Sequence, residues 1–159
     1  MSEAHPQRRP PRVLALAVVV LLSPIWLPLV VLFLFGQALY ASALYLAIWL
    51  FWLPRGKDVL LVYSESPIWH DYMVAEVLPL VKDRAMVLNW TERNQWGEWS
   101  LSVFAFRFFG GNHAFNPMVV VFRPLRRAKT FRFWPAFKEW KHGDREPVEK
   151  LRREVSLLL

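Results

Sequence analysis

Three acidic side chains stand where acid–base chemistry could be done: Glu65 in "YSESPIW", Glu92 in "NWTERN" and Glu98 in "WGEWS". Two carboxylates converging on one substrate can divide the roles of general acid and general base. Ser64 and Ser66 flank the first of these acids, and His70 follows one helical turn beyond Ser66, so a nucleophile and a base are available in type. The wider candidate ligand set is Ser64, Glu65, Ser66, Asn89, Thr91, Glu92, Arg93 and Arg123, each just beyond or at the end of an apolar run. Hydroxyl, amide and guanidinium groups of this kind suit a phosphate or a carboxylate. The sharper signatures are missing: no G-x-G-x-x-G, no G-x-x-x-x-G-K-[ST] and no G-x-S-x-G occurs. There is no cysteine, and His5, His70, His113 and His142 lack metal-ligand spacing, so no metal and no cofactor is expected.

For these residues to meet, the runs before them must be strands of one sheet. "DVLLVY" (58–63), "AMVLNW" (85–90) and "PMVVVF" (117–122) are apolar throughout, the pattern of strands buried on both faces. "KTFRFW" (129–134) alternates, with Phe131 and Phe133 opposite to Arg132, as an edge strand does. Between the first two runs, Ser66 as N-cap and Pro67 at the first helical position predict a helix. Its apolar stripe is Ile68, Tyr72, Ala75, Val77, Leu78 and Val81. "SLSVFAFRFF" fits helix or strand, and the Gly110–Gly111 pair after it favours helix. A short helix from Pro135 and an amphipathic one from Glu146 follow. The expectation is a small three-layer α/β domain with a parallel sheet, in the order βαβαββα, over residues 54–159. Ligands of such sheets bind beyond the carboxyl ends of the strands, where the candidate residues fall.

Ahead of this domain, residues 13–53 carry no charge. At ~1.5 Å per residue that run reaches roughly 60 Å as one helix, about twice a hydrocarbon core. Basic residues flank it on both sides (Arg8, Arg9 and Arg12, then Arg55 and Lys57), and the positive-inside rule places both flanks in the cytoplasm. A transmembrane helical hairpin satisfies both facts. Its turn falls at Phe35–Gly36–Gln37, or alternatively at "SPIWLP" (23–28), which leaves one long span after a partly inserted segment. A cleaved signal peptide is disfavoured because "SPIWLPLV" offers no small-residue cleavage site. The organisation expected is a basic cytoplasmic tail (1–12), the hairpin (13–53) and a cytoplasmic domain at a bacterial-type inner membrane. With no ionisable group inside the run, an anchor is preferred over a transport path.

No acidic residue lies between Glu98 and Glu139, and the net charge is +7. Arg126, Arg127, Lys129 and Arg132 in "LRRAKTFR" are therefore expected at the membrane surface, where each basic residue adds about 1 kcal/mol near an anionic leaflet. The partners expected are the bilayer, its anionic headgroups and a protein. Nucleic acid is disfavoured in a small anchored chain with no recognised nucleic-acid motif.

"DVLLVYSES" resembles the opening strand and loop of TIR domains. "VLNWTERNQWGEWSLSVFAF" is similar to their later strand, loop and Trp-bearing helix start, and "NPMVVVF" to the next strand. The resemblance implies a flavodoxin-like fold and an interaction or signalling role. One strand–helix unit of that family is missing between the first two segments. The family's catalytic glutamate follows the Trp by four positions, which from Trp96 is Ser100, with Glu98 two short. This departure counts against the family's NAD-cleaving activity in this chain. Taken together, the residues predict a membrane-anchored binding module. The alternatives are an enzyme acting on a nucleotide or other phosphate-bearing substrate at the strand ends, using Glu65, Glu92 or Glu98, and an accessory subunit of a membrane complex.

Overall fold

The computed structural model describes residues 12–110 and 116–159. His5, Arg8, Arg9, Gly111 and His113 lie outside the described residues. The chain divides after Ala41 into two compact units, Met1–Ala41 and Ser42–Leu159.

The charge-free run is one helix, α1 (Arg12–Phe51, 40 residues), with Pro24 and Pro28 inside it. The expected hairpin is thus corrected to a single helix, unbroken at Phe35–Gln37. Gly36 costs a helix only about 1 kcal/mol, and nothing charged or prolyl beside it ends the hydrogen-bond ladder. In the first unit the described side chains from Trp26 to Leu39 include Leu32, Phe33, Leu34 and Phe35, all exposed. Among the described residues one helix is long and apolar enough to cross a membrane.

The last turns of α1 belong to the second unit. Leu44, Ile48 and Trp52, spaced by one helical turn, are buried in its core, so this unit takes in the end of the apolar run. A 3₁₀ turn, Leu53–Arg55, closes on Gly56, whose φ of 68° needs a residue without Cβ strain. The strands then follow: β1 (Val59–Tyr63), β2 (Ala85–Asn89), β3 (Met118–Val121) and β4 (Lys129–Arg132). Their order in the sheet is β2-β1-β3-β4. β1 and β2 are parallel, but β3 runs antiparallel to β1, and β4 antiparallel to β3. The all-parallel sheet expected from the sequence is corrected to a mixed one. An apolar strand reports burial on two faces and says nothing of direction. The short β3–β4 connection can only reverse the chain, because parallel neighbours need a crossover of a dozen or more residues.

The sheet is covered on both sides, as three layers require. Val59, Leu61, Val119 and Val121 face Tyr72, Met73, Val77, Val81, Phe137, Val148 and Val155. These come from the helical stretch after β1 and from α5 (Trp134–Lys141) and α6 (Glu146–Ser156). Leu60, Val62, Met118 and Val120 face Leu44 and Ile48 of α1 and Trp52 just after it, together with Ala105 and Phe106 of α4 (Leu101–Gly110). The edge position and alternation expected of 129–134 hold: β4 is an edge, with Phe131 buried and Arg132 exposed.

The stretch after β1 starts later than its sequence suggests. Ser66 is not the cap. Residues 67–69 form a turn, and α2 (His70–Tyr72) begins after Trp69. The helix then widens into a π-helical turn, Met73–Val77, before α3 (Leu78–Val81). Pro79 explains the widening, since it has no N–H for the carbonyl four residues back. At the other end of the parallel pair, Arg84 grips the Asp58 carboxylate with two guanidinium nitrogens, the Nε contact at 2.9 Å, and also donates to the Leu159 carbonyl. The hydrogen bond to Asp58 raises the Arg84 pKa further and keeps it charged.

Tyr72 is packed edge-on between Phe137 and Trp140, its hydroxyl buried and without a hydrogen-bond partner among the described residues. Burial, and then the negative charge of Glu149, push its phenol up to about 12. Between an unfolded value of about 10 and that figure the folded state alone keeps the proton, so stability falls as pH climbs through this window. Tyr72→Phe is expected to flatten that fall and to leave stability at neutral pH unchanged or higher; urea unfolding of both proteins from pH 9 to 12 checks it. Docking of α1 is tested separately. Ile48→Ala, at a position 0% exposed, should cost about 2–5 kcal/mol of unfolding free energy in detergent, whereas Leu50→Ala, at 70%, should change it by less than about 0.5.

Candidate functional site

The parallel pairing of β1 and β2 sets Tyr63 opposite Asn89, so the segments that follow emerge side by side. There they are tied together. The Asn89 side-chain amide donates to Glu65 Oε1 at 3.0 Å, and Asn89 Oδ1 accepts from the Thr91 N–H at 3.0 Å. Thr91 Oγ1 accepts from the Glu65 N–H at 3.0 Å, which closes the ring of contacts. The Trp69 indole donates to Ser64 Oγ at 3.1 Å, and the Trp96 indole to the Asn89 carbonyl at 3.1 Å. Asn89 also starts the 3₁₀ helix Trp90–Gln95, capping it through Thr91. The structure thus brings together Ser64, Glu65, Asn89 and Thr91, and gives each a partner in the opposing segment or the turn beyond it.

The remaining candidates do not join them. Ser66 Oγ accepts from the Ile68 N–H at 3.4 Å, a turn contact. Glu92 and Glu98 are exposed, and neither bonds to Glu65, so no carboxylate pair forms among the described residues. Arg93 lies over the Trp90 ring, 5.3 Å from its centroid. The His70 ring pairs with Asp71 at 3.2 Å and bonds to neither serine hydroxyl among the described residues. Arg123 is displaced farthest. β3 is antiparallel to β1, and Phe122 N–H bonds to the Asp58 carbonyl, so Arg123 follows at the opposite end of the sheet from Ser64. A crevice that keeps Glu65 and loses Arg123 is a poor host for a phosphate, because its one committed charge has the wrong sign. No group of three or more His, Cys, Asp or Glu side chains able to hold a metal exists among the described residues.

The basic segment is divided by the pleat of β4. Lys129 pairs with Glu154 of α6 at 3.2 Å on one face, and Arg132 donates to the Gly110 carbonyl of α4 at 3.0 Å. Arg126 and Arg127 stay exposed in the β3–β4 loop and form no ion pair among the described residues. They line a groove of about 400 Å³ with Ser42, Tyr45, Leu46, Trp49 and Leu125. Leu125 is 88% exposed and has a φ of 56°. Tyr45 Oη accepts from the Ala128 N–H at 2.9 Å and so fixes the loop to α1. Tyr45 and Leu125 are absent from the residues the sequence points to, whereas Trp49 stands out there as an interfacial aromatic near the end of the apolar run. For Tyr45 the only advance signal is the aromatic character of the end of the apolar run, and Leu125 has none.

The chain matches no protein-family model, no curated protein and no solved structure.

The ring of contacts at the strand ends reads as a clasp, and this is testable. Asn89→Ala should lower stability by about 1–2 kcal/mol by removing the cap to Thr91 and the one side-chain bond to Glu65. Glu65→Gln, which keeps an acceptor oxygen at the same place, should be nearly neutral. Urea midpoints of the two variants give the comparison.

Proposed function

We propose that the chain is a membrane-anchored binding module. In this reading α1 holds a small α/β unit at the cytoplasmic face of a bacterial-type inner membrane, where the unit engages a protein partner or an anionic ligand. One observation carries it: the last turns of the charge-free helix, through Leu44, Ile48 and Trp52, are themselves part of the unit's core. A cleaved leader would take part of that core with it. The exposed pair Arg126 and Arg127 supports the cytoplasmic side, where the leaflet is anionic. With a single span the two basic flanks compete, so orientation is the point to measure.

The contact between Glu65 and Asn89 supports a second reading, an enzyme at the strand ends acting on a phosphate-bearing substrate. It ranks lower because one carboxylate stands without a second and Arg123 is at the far end of the sheet.

The absence of cysteine makes a clean topology test possible. A single Ser156→Cys, at an exposed position on α6, should react with a membrane-impermeant maleimide in inverted inner-membrane vesicles and stay protected in right-side-out ones. Labelling from the outer side would exclude the cytoplasmic assignment. Recovery in the soluble fraction would exclude the anchor.

A further inference from the structure

The groove between the end of α1 and the β3–β4 loop combines apolar and aromatic side chains with two adjacent cations. It is lined by Tyr45, Leu46, Trp49 and Leu125 and by the side chains of Arg126 and Arg127. Leu46 is 61% exposed although it lies within the charge-free run, so the apolar wall continues a helix surface suited to lipid chains. Leu125 projects at 88% exposure from a loop whose next two residues are cationic. An apolar tip beside paired guanidinium groups suits the boundary between acyl chains and phosphates. The Trp49 indole N–H is buried without a hydrogen-bond partner among the described residues, which leaves one donor beside the groove unsatisfied. Arginine binds phosphate oxygens through a planar fork of donors, and two adjacent arginines match one phosphodiester better than a diffuse field does. A volume of about 400 Å³ is within the usual range for a single bound small molecule or lipid segment.

We infer that this groove binds one anionic phospholipid, with its phosphate on Arg126 and Arg127 and the start of an acyl chain along Leu46 and Trp49. The inference rests on the membrane-anchored reading above and goes further, since it assigns a discrete site in place of general attraction to the leaflet. The positions of Lys129 and Arg132 sharpen it. Both are engaged within the protein, so of the four basic residues expected at the surface the site uses only the two in the loop.

Native mass spectrometry of the full chain released from dodecyl maltoside, with phosphatidylglycerol or phosphatidylcholine added, tests this directly. The expected result is a one-to-one adduct with phosphatidylglycerol that phosphatidylcholine does not replace at equal concentration. Arg126→Glu with Arg127→Glu should weaken the adduct by roughly 30-fold or more, taking about 1 kcal/mol for each cation lost. Lys141→Glu with Lys150→Glu, the same change in net charge at exposed positions elsewhere, should leave it within about 2-fold. Leu46→Trp, which fills the groove without touching charge, should also abolish it, and it decides the matter if the arginine variant does not fold. Equal losses in the two charge variants, equal binding of the two lipids, or binding of inorganic phosphate alone would each overturn the site. None of these outcomes removes the protein from the membrane, so they are separable from a failure of the anchor, which the cysteine labelling reports.

Discussion

The packing of Leu44, Ile48 and Trp52 against Leu60, Val62 and Val120 is the contact on which the rest of the domain depends. A four-stranded sheet whose central strands are apolar on both faces must be covered twice, and the segment after β1 together with α5 and α6 covers only one face. α4 supplies Ala105 and Phe106 to the other face, and the end of α1 supplies the remainder. Each large side chain buried there contributes about 2 kcal/mol, a substantial share of what a domain of this size has in hand. The same helix therefore does two jobs. From Trp26 to Tyr40 its large apolar side chains are exposed, and from Leu44 on one stripe is buried in a protein core.

Strand direction decides what can meet at each end of that sheet. The parallel β1–β2 pair places Glu65 beside Asn89 and Thr91, and Asp58 beside Arg84. The antiparallel β3 sends Arg123 to the Asp58 end. A carboxylate crevice and a guanidinium are thus separated by the length of the strands, and the strand-end cluster becomes a fastening between two turns. The pleat acts likewise on the basic segment. It sends Lys129 to α6 and Arg132 to α4, and leaves the loop arginines as the exposed pair.

Much of this was legible in the sequence, and the limits have physical causes. The four strands, the helix from Glu146 and the edge character of β4 follow from periodicity and burial pattern, because side-chain period is a local property. The π-helical turn before Pro79 was not read, although its cause, a proline with no N–H, is written in the chain. The convergence of Glu65 with Asn89 and Thr91 required only that β1 and β2 be parallel, which a helical crossover implies. Arg123 failed the same test because the step from β2 to β3 passes through α4, a connection long enough to allow either direction.

By itself the sequence determined the two chemical regimes of this protein: a charge-free helix of membrane-spanning length, and strands too apolar to be left uncovered. Both are statements about which residues avoid water, and that preference belongs to each side chain wherever it lies. The tertiary structure alone decided that the run is one helix and not two, that its last turns belong to the domain core, and that the sheet is mixed. These are choices among partners, and hydrophobic burial is non-directional, so composition does not select among them. The groove at Tyr45, Trp49, Leu125, Arg126 and Arg127 is the clearest case. Its residues are about 80 positions apart in the chain, and they become neighbours only once α1 has docked and the β3–β4 loop is fixed to it through Tyr45.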